Sequence, residues 1–83
     1  MRVIVRCYGP LREHLPDPDS GTVELDLPEG ARVADALAAL GIEGRAVHAL
    51  LLDGRRAAPV KELGDGAELT LMPPFTGGAA QDL

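Results

Sequence analysis

The sequence predicts an α+β domain in which a mixed sheet of about five strands carries one main helix packed on a single face. Three observations lead there. Apolar and polar residues alternate with a period of two in several short runs. One run alone, 32–40, switches to a helical period, and the pair Asp53-Gly54 sits between apolar flanks as hairpin turns do. A chain of 83 residues has room for one core and no second.

The first run, 2–8, places Val3, Val5 and Cys7 on one side and Arg2, Ile4, Arg6 and Tyr8 on the other, the pattern of a half-buried strand. Gly9-Pro10 ends it, 11–15 suits one short helical turn, and Pro16-Asp17-Pro18-Asp19-Ser20-Gly21 is turn chemistry. The run 22–27 alternates again, with Val23, Leu25 and Leu27 inward, so the two runs predict a loose antiparallel hairpin. Pro28-Glu29-Gly30 breaks it. In 32–40 the residues Val33, Ala36, Leu37 and Leu40 fall at i, i+3, i+4 and i+7, with Asp35 near the positive helix start and Gly41 where a terminating glycine belongs. Around Asp53-Gly54, 47–52 and 56–60 are expected to pair. Gly64-Asp65-Gly66 then turns the chain into a last strand, 67–72.

The resulting order, β-β-α-β-β-β, has one helix, which cannot cover two sheet faces. The other face is left for a partner. The last strand, set parallel to the first at the centre of the sheet, places its apolar residues over the helix. By analogy with ubiquitin this is a β-grasp, with 1–75 as the domain and 76–83 as a flexible tail.

A composition of 46 % apolar and 25 % charged residues belongs to a globular chain. A net charge of −5, with arginines that form no basic run, argues against nucleic acid and favours a protein partner with a basic docking face. Cys7 is the single cysteine, which excludes an intrachain disulfide and fits a reducing, cytoplasmic setting. The N-terminus lacks the form of a signal peptide, and no apolar run reaches membrane-spanning length.

Enzyme machinery is not found. The phosphate-loop, dinucleotide and nucleophile-elbow motifs are missing. His14 and His48 are far apart in sequence, the first expected in solvent, the second in a strand with a structural or surface role. Cys7 reads as a small buried hydrophobe, Asp53 and Asp65 as turn formers, and Glu24 and Asp26 as the solvated side of a strand. No metal site and no bound cofactor is expected.

The chemistry is therefore expected at the C-terminal end. There Leu71-Met72 runs into Pro73-Pro74, then Phe75, Thr76, Gly77 and Gly78. The prolines fix φ and donate nothing to a sheet ladder, so the strand stops and the chain leaves extended. Glycines without a Cβ let a partner close tightly around the tip. The run Asp65-Gly66-Ala67-Glu68-Leu69-Thr70-Leu71-Met72-Pro73-Pro74-Phe75-Thr76-Gly77-Gly78 resembles the C-terminus of the MoaD/ThiS sulfur carriers, its Pro-Pro-x-Thr-Gly-Gly form being nearer MoaD.

That resemblance implies a carrier and not an enzyme. An E1-like adenylyltransferase (MoeB/ThiF-like) would use ATP to adenylate the carboxylate of Gly78, which then becomes a thiocarboxylate. The sulfur would pass to an acceptor synthase large subunit (MoaE-like), most simply in molybdopterin or tungstopterin biosynthesis. Gly78 would be the reactive terminus and Gly77 the slender approach to it. Phe75 would anchor on the partner or pack on its own sheet, with Thr76, Pro74, Pro73 and Met72 completing the contact. Ile4, Tyr8, Thr70 and Met72 are candidates for the helix-free face.

One departure from the family matters. Ala79-Ala80-Gln81-Asp82-Leu83 follow the diglycine, and a glycine inside a peptide bond has no carboxylate to adenylate. Either a protease (a metalloprotease is the class implied) removes 79–83, or the tail stays and the role differs. Three readings follow: a processed sulfur carrier, a ubiquitin-like modifier joined through Gly78 to lysines of targets, and an interaction or regulatory module that keeps its tail. Pterin, thiazole, cysteine and other thiolated products all remain open as acceptors.

Overall fold

The computed structural model describes residues 1–74; the roles expected of Phe75, Thr76, Gly77, Gly78 and the extension lie outside the described residues. Strands β1 (Arg2–Cys7) and β2 (Thr22–Asp26) form the N-terminal hairpin. Helix α1 (Val33–Ala39) follows, then β3 (Ala49–Leu52), β4 (Arg55–Arg56) and β5 (Glu68–Met72). The sheet order is β2-β1-β5-β3-β4, with β5 parallel to β1 and antiparallel to β3. This is the mixed five-stranded sheet with one helix that the sequence predicts, a ubiquitin-like β-grasp.

The core forms where the alternating patterns meet. On β5, Leu69 pairs with Val5 on one side and Leu52 on the other; Leu71 pairs likewise with Cys7 and Leu50. Val3, Val5, Leu69 and Leu71 are wholly buried, and they join Val33, Ala36 and Leu37 of α1 in a single apolar cluster. The strand with inward residues on both neighbours thus takes the centre, which lets one short helix cover the apolar side.

Each end of α1 is closed by specific groups. The Arg32 amide donates to the Asp35 carboxylate at 2.7 Å, and the Val33 and Ala34 amides donate to the carbonyls of Lys61 and Pro59. At the other end Gly41, at φ +71°, donates to Ala38 and Ile42 donates to Leu37, a Schellman closure that draws Ile42 into the core.

The second hairpin differs from expectation. Asp53 and Gly54, at φ +51° and +84°, make the expected primed turn, but β4 ends at Arg56 and does not run to residue 60. One further bond, from the Ala57 amide to Leu50, extends the pairing before Pro59, which has no N–H to offer a ladder. The segment then turns to meet the start of α1. β3 likewise begins at Ala49, so His48 lies outside the strand and is exposed. The short turn expected at 11–15 is a 3₁₀ helix over Gly9–His14, and a second covers Gly44–Ala46.

Candidate functional site

The described part of the C-terminal arm shows how β5 ends and the chain leaves the sheet. Tyr8 donates its amide to the Leu71 carbonyl at 3.2 Å, and His48 donates to the Met72 carbonyl at 2.7 Å. These are the last bonds on the two sides of β5. Pro73 and Pro74 have no N–H, so the ladder cannot continue past Met72. The exit is therefore set by covalent chemistry and not by a competing contact.

Pro73 is held in place by close packing. Gly9 follows β1 at φ +58°, and a Cβ built on it would come within 3.1 Å of Pro73 Cγ. A glycine here meets two demands at once, the left-handed backbone and the approach of the proline ring. The sequence reading treated Gly9 only as the end of a strand. No local signal marks its contact with Pro73, since the two residues meet only once β5 lies beside β1.

The face of the sheet without the helix adjoins this exit. Across it, Ile4 and Arg6 on β1 stand beside Glu68 and Thr70 on β5; Leu51 and Ala49 on β3 stand beside Thr70 and Met72. Ile4, Thr70, Met72, Leu51 and Ala49 are half-buried with nothing among the described residues packed over them as a second layer, and Tyr8 is 48 % exposed. The four candidates Ile4, Tyr8, Thr70 and Met72 thus fall on one surface. Exposed ion pairs lie on it, Arg6 with Glu68 at 4.0 Å across β1 and β5 and Arg2 with Glu24 at 3.4 Å toward β2. Such pairs orient a surface more than they stabilise it.

Other candidates for chemistry have structural duties. The Asp53 carboxylate accepts from the Glu68 amide at 2.9 Å, and that of Asp65 accepts from the Arg2 amide at 2.8 Å, each tying a turn to a neighbouring strand. The Cys7 side chain is 2 % exposed, and burial raises its thiol pKa above the ordinary 9.0, the reverse of what a reactive thiolate needs. Among the described residues no group of His, Cys, Asp and Glu is placed to hold a metal, and no helix is long and apolar enough to cross a membrane. Of the expected site residues, the structure brings Met72, Pro73 and Pro74 to the edge of the open face.

Comparison with known proteins agrees with this geometry. The model of the ThiS family matches residues 5–78, so the match ends on the second glycine of the diglycine. The fold superposes on SAMP1 of Haloferax volcanii with a TM-score of 0.75 at 29% identity, over 94% of this chain and all (100%) of that one. A protein of Pyrococcus furiosus assigned as subunit 1 of molybdopterin converting factor gives a TM-score of 0.72 at 24% identity, covering 90% and 99% of the two chains. In a complex of subunits 1 and 2 of molybdopterin-converting factor from Helicobacter pylori, the matching chain gives 0.63 at 24% identity, with 94% and 100% covered. No curated protein matches the chain by sequence.

Proposed function

The chain belongs to the ThiS family, among the MoaD/ThiS ubiquitin-like sulfur carriers, and we propose that it carries sulfur as a thiocarboxylate on Gly78. The observation that carries this reading is the end of the family match at Gly78, which leaves 79–83 outside it. On this reading a protease first removes 79–83. A carboxylate oxygen of Gly78 attacks the α-phosphorus of ATP within an E1-like enzyme, and pyrophosphate leaves. Hydrosulfide then attacks the acyl carbon and displaces AMP from the acyl-adenylate, giving the thiocarboxylate.

The geometry supports the division of labour. A carboxylate is a poor electrophile until it bears a good leaving group, and the activating enzyme supplies that group. The carrier's task is delivery: Pro73 and Pro74 direct the chain off the sheet, and the open face of Ile4, Tyr8, Thr70 and Met72 offers a partner an apolar seat beside the exit. The protein acts as a co-substrate of other enzymes in a reducing compartment. The Helicobacter pylori complex pairs a protein of this fold with a second subunit, which favours a synthase subunit as acceptor partner and pterin as the sulfur's destination.

The test uses a chain ending at Gly78, an E1-like enzyme from the same cells, ATP and a sulfur donor. Conversion of the terminus to a thiocarboxylate is expected, and Gly78→Ala should slow it strongly because a Cβ crowds the closed site. A chain that never acquires sulfur under these conditions rules the reading out.

A second reading, conjugation through Gly78 to lysines of target proteins, is favoured by the 27% identity to small archaeal modifier protein 1 of Haloferax volcanii. Covalent adducts in extracts of the native cells would support it; their absence across growth conditions would count against it.

A further inference from the structure

The chain carries eight lysines and arginines against a net charge of −5, and the fold distributes them unequally. Arg2, Arg6, Arg32 and Arg45 each lie within 4.0 Å of a glutamate. Arg12 donates to the carbonyls of Pro18 and Asp19. Among the described residues Arg55, Arg56 and Lys61 have neither an ion-pair nor a side-chain hydrogen-bond partner. All three line one open cleft of about 580 Å³, together with Ala57, Ala58 and Val60. Asp53, on its rim, already accepts from the Glu68 amide. The three cations without a partner among the described residues thus border one cleft, Arg55 and Arg56 on alternate sides of β4 and Asp53 with them.

Two further features decide what such a cleft can hold. Val60 is 69 % exposed, so an apolar side chain lies uncovered at the cleft. β4 is also an edge strand, bonded to β3 alone. Because the Ala57 amide donates to Leu50, the alternation of an antiparallel pair turns the N–H and C=O of Arg56 away from β3, toward the open edge. A site for a small anion would need buried donors converging on a point, and no polar or charged residue is buried among the described ones. Separated cations, apolar lining residues and a free strand edge fit an extended peptide.

We propose that this cleft docks an extended acidic segment of a partner protein. Its carboxylates pair with Arg55, Arg56 and Lys61, its backbone adds to the edge at Arg56, and an aliphatic side chain covers Val60. The cleft adjoins the open face, since Arg56 is registered against Leu51. One partner could then engage both surfaces while the arm reaches its active site. The inference stands apart from the sulfur reading, because it concerns binding and not the chemistry of Gly78.

The test is an amide-resolved NMR titration of the full chain with an acetylated, amidated peptide of alternating Glu and Val. Saturable shifts are expected at Arg55, Arg56, Ala57, Val60 and Lys61, weakening as salt is raised. The charge reversal R55E/R56E/K61E should reduce affinity by about tenfold or more, and Val60→Ser by roughly threefold. If the triple variant fails to fold, the single variant Arg56→Glu should still weaken binding, by roughly threefold. Absence of saturable shifts at millimolar peptide, or shifts centred elsewhere, overturns the proposal. So does pyrophosphate or ATP that saturates the same amides more tightly and displaces the peptide, which would make the cleft a small-anion site.

Discussion

Cys7 lies in the core beside Leu71, and its chemistry follows from that position. Burial disfavours the thiolate, so the folded protein holds the proton above the ordinary pKa of 9.0, whereas the unfolded chain releases it near that value. The folded state therefore binds more protons above about pH 9, and stability falls as pH rises through that window. Denaturant titrations near pH 8 and pH 10 should show the stability gap between the wild type and Cys7→Ser narrowing at the higher pH. A thiol reagent should modify Cys7 only on unfolding. At Gly9 the constraint is backbone: Gly9→Ala must accept φ +58° and move the Pro73 ring. A loss of about 1–2 kcal/mol is expected, read from the denaturation midpoint. The tail's exit should shift with it, seen as amide shift changes at Tyr8 and Met72.

Among the elements, β5 organises the rest, and its central place was legible in the sequence. Leu69 and Leu71 alternate with Glu68, Thr70 and Met72, and only a slot between two other strands hides such residues under a helix. The helix was equally legible, with its stripe and its Asp35 near the start. Asp35→Ala removes the carboxylate that takes the Arg32 amide and should cost about 1 kcal/mol, measurable by thermal melting. The length of β4 was not legible. Residues 57–60 look apolar enough for a strand, but the carbonyls of Pro59 and Lys61 are drawn to the first amides of α1. That is a tertiary demand, which local pattern does not encode. The cationic cleft escaped for the same reason: Arg55-Arg56 and Lys61 meet only after this turn. At the candidate site, the strand-stopping role of Pro73 and Pro74 could be read directly, whereas the Gly9–Pro73 contact required the fold.

At the scale of the whole molecule, the protein is a small domain with a partly apolar, helix-free sheet face beside the point where the chain leaves β5. Among its described residues no group of His, Cys, Asp and Glu is placed to hold a metal, and on the proposed reading its activity lies in what other proteins do to its end. The motif Pro73-Pro74-Phe75-Thr76-Gly77-Gly78 points to that reading in sequence, and the family match ends on the same glycine. The residues after it make processing the central claim, because an internal glycine offers no carboxylate. The direct measurement is the intact mass of the protein recovered from its native cells while the pathway is active. The account predicts a species ending at Gly78, part of it heavier by the difference between one sulfur and one oxygen. A population consisting only of chains that still carry 79–83 would contradict it and leave the protein as a docking module that keeps its tail.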